Sequence, residues 1–476
     1  MSNPIRLLAF TAAVGAASLL GMSFLTAETP PPKSAEPMAP IQFTKDAVPT
    51  KTAVTPKEFT ESVKKGIAYL IKNQQADGGW NQGGGWRTGG NGQARVEGKE
   101  VEDPSDMGNT CYALLALVRA GNTATEGEHK EAVKKGLKYV LAMVEKSKGD
   151  DLYVTDVRNT QLQSKVGPYI DTFLANLVMA ELKGKAGDSE KQLVACLEKT
   201  MTKIVKAQTK DGQFAGNGGW APVLSLAVAN KGIARAKQNG AVVDDKYFAR
   251  VAEQAKAAST VVAAATPGDP KVATTGKLEL TGSGTYTGAT TVTGGSLAGD
   301  AGVPLYNIAQ KAGNNQDVVN AMRFDAEKWR KVAADPKAKP EEKAAAEKNL
   351  DGLKNAEREN GKIQEGLATS VKSEKFVAGF GSNGGEEFLS FLNISETLVL
   401  KGGKDWTDWD DKMRGAAEKA QDKDGSWSGQ HCITGKTFCT SGALLVMLAD
   451  RTPFPLDVLN KAKEEVKTVP QTPEKK

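Results

Sequence analysis

The residue types best suited to acid–base chemistry gather late in the chain. Gly379-Phe-Gly-Ser-Asn-Gly-Gly leads into Glu386 and Glu387. Gly425-Ser-Trp-Ser-Gly-Gln leads into His431 and Cys432, and Lys436-Thr-Phe-Cys439-Thr440 follows. A carboxyl and an imidazole held together can pass a proton between them near neutral pH. Glu386, Glu387 and His431 are therefore the candidate catalytic residues. The competing reading is structural: acids at a helix start offset its dipole, and the histidine is a loop residue. The short Cys432–Cys439 spacing permits a disulfide in an oxidising compartment, and equally permits two thiols. Zinc at His431, Cys432 and Cys439 would need a further ligand that the sequence does not identify, so neither metal nor cofactor is expected.

These residues need elements to hold them, and the clearest organising signal is internal repetition. Lys65-Gly-Ile-Ala-Tyr-Leu70 runs into Gln74 and then Asp77-Gly-Gly-Trp80. Lys199, Ile204, Gln208, Asp211-Gly212 and Phe214 repeat the spacing, as do Lys412, Ala417, Gln421, Asp424-Gly425 and Trp427. A decayed copy, Lys135-Gly-Leu-Lys-Tyr-Val140, has Val144 where the glutamine would stand. Each unit reads as a helix stopped by Asp-Gly, because glycine accepts the left-handed backbone of a helix end. The aromatic can fold back over that end, and the glutamine amide can bond backbone groups left unpaired there. Charged amphipathic segments (57–74, 129–145, 188–208, 243–258, 315–333, 406–421) alternate with apolar ones: Asn109–Ala120, Tyr169–Leu182, Ala221–Ala236, Val303–Ala312, Glu386–Leu400 and Thr440–Ala449. A helix apolar all round is buried and an amphipathic one lies outside it, so six hairpins should form an inner and an outer layer, with a helix at 455–467 closing the chain.

The unit at 65–80 resembles the QW repeat of squalene/terpenoid cyclases and protein prenyltransferase β subunits, a resemblance that extends over most of 55–450 on three clear copies. It implies an all-α fold, an (α/α)6 toroid, whose inner-helix N-termini face a central cavity. That placement would bring Glu386, Glu387 and His431 together. The family's catalytic signatures match poorly. Asp408-Trp-Asp-Asp411 spells the D-x-D-D proton donor of class II terpene cyclases, but Gln421 follows Asp411 by only ten residues. This spacing suggests the first turn of an outer helix, where acids act as caps. The Asp-x-Cys pair of prenyltransferase zinc sites is absent, as is the Gly-Cys-Gly-Glu-Gln of the superfamily's thioester members. Inner-helix aromatics are few (Tyr112, Tyr169, Phe173, Tyr306, Phe388, Phe391), a thin lining for stabilising carbocations. Trp80, Trp86, Trp220, Trp406, Trp409 and Trp427 fall in loops or at helix starts. They would collect at the rims, as repeat packing or as a stacking surface for a glycan or hydrophobic ligand.

The ends and composition bound the setting. Residues 1–27 carry one charge, Arg6, before the apolar run Leu7–Ala27, which reads as an export signal, cleaved or retained as an anchor. Prolines 30, 31, 32, 37, 40 and 49 make 28–54 an extended tether, and 469–476 reads as a disordered tail. Residues 276–297 alternate in the strand period and resemble one autotransporter-associated β-strand repeat, as a β-rich insertion within 261–299. A second insertion, at 334–362, is charged and helical. With 62 Lys+Arg against 57 Asp+Glu, no basic stripe suits a nucleic acid. Four cysteines exclude a disulfide-stapled scaffold, and two histidines exclude a multi-histidine metal centre. The expectation is a periplasmic or secreted toroid that binds a hydrophobic, glycan or protein ligand. The alternative is a degenerate isoprenoid cyclase-like or polysaccharide-acting enzyme.

Overall fold

Thr60 opens the first helix, α1 (Glu61–Lys72), by accepting the Val63 N–H on its hydroxyl. Val63, Ile67 and Leu70 form its buried stripe. The Gln-to-Trp unit then ends it as its residue types require. The Trp80 indole folds back and donates to the Leu70 carbonyl at 2.7 Å. The Gln74 amide donates to the Gly78 carbonyl at 2.8 Å and to Ala132 at 2.9 Å, on the next outer helix, α3 (Lys130–Lys146). Gly78 has φ +90, and a Cβ there would lie 2.6 Å from the Lys135 carbonyl oxygen, so no side chain fits.

The copy ending α12 (Gly403–Ala420) repeats these bonds on the far side of the chain. Trp427 donates to Ala417 O at 2.8 Å, and Gln421 donates to Gly425 O and to Ser62 O, both at 2.9 Å. Ser62 belongs to α1, so the last unit is tied to the first. In the copy after α6 (Glu190–Ala207), Gln208 instead accepts from Arg250 of α8 (Asp245–Val262) at 2.7 Å. Where Val144 replaces glutamine, Lys199 of α6 takes over, its ammonium capping the carbonyls of Val144, Glu145 and Ser147 at the end of α3.

The computed structural model describes residues 41, 43, 49–87, 94–96, 103–262, 302–372, 384–456 and 459, all within the unit Pro40–Lys476. The expected export signal, most of the tether, the strand-repeat segment 276–297, most of the 455–467 helix and the tail lie outside them. The described end of the tether is not a free linker: Ile41 is buried, Phe43 bridges to Ala241, and Thr50–Thr52 is a strand. The described residues are predominantly helical. The apolar helices are α2 (Met107–Arg119), α5 (Ile170–Leu182), α7 (Pro222–Gln238), α9 (Gly302–Ala334), α11 (Glu387–Lys401) and α13 (Lys436–Met447). They pack in sequence: α2 on α5, α5 on α7, α7 on α9, α9 on α11, α11 on α13, and α13 on α2. The outer partners are α1, α3, α6, α8, α10 (Pro340–Ser370) and α12; a short α4 (Gln161–Val166) precedes α5. Two antiparallel strand pairs accompany the helices. β1 (Thr50–Thr52) pairs with β4 (Pro453–Pro455), and β2 (Gly85–Arg87) pairs with β3 (Ala94–Val96).

The expected break between 312 and 315 does not occur, since α9 runs unbroken through it. The polar run serves burial instead of a turn. Asn314 accepts from Asn230, Gln316 bonds Asn320 and Asn360, and Asp317 pairs with Lys231. A Cβ at Gly313 would lie 3.1 Å from Asn393, so glycine here permits close packing against α11. The charged segment 334–362 lies largely in α10, which folds back on α9 over a small second core of Ala326, Trp329, Ala346 and Leu353 and also touches α11.

Candidate functional site

Glu386 stands at the N-terminal end of α11 and is 0% exposed. Its side chain does not cap that helix. Oε1 accepts from the Tyr306 hydroxyl at 3.2 Å and Oε2 from the Ile433 N–H at 3.3 Å. The loop between α12 and α13 is drawn onto this turn by the Gly385 N–H, which donates to Ile433 O at 2.7 Å. A Cβ on Gly429 would lie 2.1 Å from the same oxygen, so only glycine allows the approach. Cys432 has φ +57, a left-handed conformation that costs a non-glycine residue about 1–3 kcal/mol. The surrounding contacts hold it there. Trp86 N donates to Thr434 Oγ1 at 2.7 Å, Thr434 N donates to Gln161 at 3.0 Å, and Thr437 N donates to Gln82 O.

This arrangement puts Glu386, exposed His431 and half-buried Cys432 together, with one donor atom from each lying within 4.8 Å of the others. Two of the three predicted catalytic residues thus meet. Glu387, first residue of α11, is buried outside that trio. Its charge is felt at Tyr306, whose hydroxyl is pushed up by burial first and by Glu386 and Glu387 after it. Cys439 points its sulfur toward Gly385 and Ile433 O, and the four cysteines are unbridged.

A larger polar feature escaped the sequence reading. Arg119 of α2, Glu181 of α5, Lys231 and Arg235 of α7, Asp317 of α9 and Glu396 of α11 form one buried ionic network. Three cations face three carboxylates, so it is neutral within itself. Arg119 donates Nε to Glu181 at 2.8 Å, pairs with Glu396 at 2.9 Å and also bonds Thr452. Burial alone would raise the Glu396 carboxyl, but Lys231, Arg119 and Arg235 outweigh it and hold the group well below the usual range. The signal was present in charges lying inside otherwise apolar helices. Such groups are buried only when paired.

Asp106 and Asp171 form a second missed feature. Asp106 caps α2 through Asn109, and Asp171 lies in the first turn of α5. Both are buried. Burial, and then the charge of Asp106, push Asp171 up to about 7; burial pushes Asp106 up to about 6. Asp171 Oδ2 accepts from Gln163 at 2.6 Å, while Oδ1 has no hydrogen-bond partner among the described residues. A carboxyl raised on folding stabilises the fold below its unfolded value, 3.8 for Asp171, and that contribution is lost as pH rises toward about 7. Asp171→Asn removes this dependence and keeps an acceptor for Gln163. In urea unfolding it should match the parent near pH 4 and exceed it by about 2–4 kcal/mol near pH 8. Equal stability of the two proteins at both pH values would show that Asp171 is not a protonated, buried acid.

One expectation needs correction. Asp408–Asp411 are not in a first turn, because α12 begins at 403. They do not cap. Lys404 holds Asp408, Arg414 and Lys57 hold buried Asp410, and Lys57 holds Asp411. Of the two readings of the tryptophans, packing fits and a common stacking surface does not. Trp80, Trp406, Trp409 and Trp427 are buried, Trp86 is half-buried, and Trp220 alone among the described tryptophans stands out at 62% exposed. Tyr112 is spent on stacking with Phe438 at 4.4 Å, and Phe391 leans on Trp409. Among the described residues no helix is long and apolar enough to cross a membrane. Comparison of the chain with protein-family models, with curated proteins and with solved structures finds no match.

Proposed function

We propose that this chain is an exported (α/α)6 toroid acting as a binding module of the cell envelope. The apolar run Leu7–Ala27 would carry it across or into the membrane. The cyclic order of contacts among the six apolar helices, and the bond from Gln421 back to Ser62, support the toroid. The observation carrying the binding reading is the ionic network. A polyene cyclase needs an apolar, aromatic-lined interior, whereas here five of the six inner helices direct charged groups at one another. The polar groups proposed to meet a ligand are those beside Glu386 and His431, on the loop where Trp86 and Gln161 both bond Thr434. A hydrophobic, glycan or protein ligand of the envelope would be read there.

A degenerate isoprenoid cyclase-like or polysaccharide-acting enzyme is the second reading, favoured by the meeting of a buried carboxyl with an exposed imidazole. Incubation of purified protein with squalene and with acidic glycans separates the two. Binding alone leaves every substrate chemically unchanged in the parent and in Glu386→Gln. Turnover by the parent that is lost in Glu386→Gln would transfer the assignment to the enzyme.

A further inference from the structure

We infer that Glu386, His431 and Cys432 form a three-ligand site for a zinc-class divalent ion, with one coordination position left to an outside ligand. Two separate segments build it, one leading into α11 and the other into α13. The donor set decides the class of ion. A thiolate with an imidazole suits zinc or cobalt(II), while magnesium and calcium require oxygen ligands. One carboxylate oxygen completes a mixed N, S, O triad of the sort that keeps a position free for water or a substrate anion.

Geometry supports the triad over His431, Cys432 and Cys439. The donor atoms of Glu386, His431 and Cys432 lie within 4.8 Å of one another. Tetrahedral bonds of about 2.0–2.3 Å place ligand atoms about 3.3–3.7 Å apart, so the three need to draw in by about 1 Å. His431 is exposed and Cys432 half-buried, which leaves both side chains room to make that movement. Glu386 is the fixed partner, its two oxygens oriented by the Tyr306 hydroxyl and the Ile433 amide. Such outer hydrogen bonds are what aim a metal-bound carboxylate. Tyr306 is thus a positioning residue. The left-handed backbone at Cys432 is a cost that the loop bears in order to present the sulfur at this point. Cys439 instead directs its sulfur at the Ile433 carbonyl, 3.7 Å away, in a buried setting.

The site stands apart from the choice between binder and enzyme, and its test needs no substrate. The full chain, kept reduced, is titrated with cobalt(II). A thiolate-to-cobalt charge-transfer band should grow to one ion per chain, together with the visible bands of a four-coordinate ion, and zinc should displace it. His431→Ala and Cys432→Ser, both at solvent-accessible positions, should each abolish the thiolate band with the helical circular dichroism unchanged. Cys196→Ser, on α6, should leave the band intact. Tyr306→Phe should keep the band but weaken cobalt affinity about 10–100-fold. Absence of a thiolate band in the folded parent would overturn the site. So would a band that survives Cys432→Ser and is lost in Cys439→Ser, because the sulfur donor would then be the wrong cysteine.

Discussion

Glu396→Gln will destabilise the folded protein by about 3–5 kcal/mol, because it removes one charge from a buried, self-neutral set. Glu396 faces Lys231, Arg119 at 2.9 Å and Arg235 at 3.8 Å, all almost without solvent. After the change, three buried cations answer to Glu181 and Asp317 alone. Water cannot reach them to compensate, and each uncompensated charge is expensive to keep in a low dielectric. Equilibrium urea unfolding at neutral pH measures the loss. Lys404→Gln is the contrast, since Lys404 and Asp408 are an exposed pair on α12 worth about 0–1 kcal/mol. If Glu396→Gln falls within about 1 kcal/mol of the parent, the network is not the electrostatic centre described here.

Trp427→Ala carries the other large expected effect, about 3–5 kcal/mol. The ring is fully buried, it donates to Ala417 O, and a Cβ on Gly66 would meet its edge at 2.9 Å. Deleting it empties the space between α12, α1 and α13 at the seam where the last repeat meets the first. Trp427→Phe keeps most of the volume but strands the Ala417 carbonyl at a helix end, and should cost about 1–3 kcal/mol. Trp80→Ala should resemble Trp427→Ala, since Trp80 makes the matching bond to Leu70 O and packs against Gly136. The loop carrying His431 and Cys432 starts directly after Trp427, so Trp427→Ala should also weaken cobalt uptake. A loss below about 1 kcal/mol for Trp427→Ala would mean that the repeat does not bind its neighbours as described.

The repeat was legible because its chemistry is local. Glutamine, Asp-Gly and an indole at fixed spacing can satisfy a helix end in few ways, and the bonds of Gln74, Gln421, Trp80 and Trp427 follow that logic. The apolar helices were legible from composition. The 312–315 break was misread because Gly313 and the asparagines after it match a turn in composition. Their hydrogen-bond partners are distant in sequence: Asn230 for Asn314, Asn360 for Gln316 and Lys231 for Asp317. The acids at 408–411 were misplaced for a related reason. A helix start three residues earlier, at 403 instead of 406, changes a cap into the flank of a helix, and the cations that hold them include Lys57, far away in the chain.

By itself, then, the amino-acid order determined the helix-and-stop units and the alternation of buried and amphipathic helices. Each of these depends on contacts within about one helical turn or on average polarity. Tertiary structure decided the rest. It chose Cys432 over Cys439 as the third member of the Glu386–His431 group, turned Glu386 away from helix capping, and gathered six charges from four further-separated helices and α11 into one network. Those outcomes depend on distances between segments 45 to 277 positions apart, such as Glu386 to His431 and Arg119 to Glu396. No local propensity encodes such a distance; it emerges only when the helices pack.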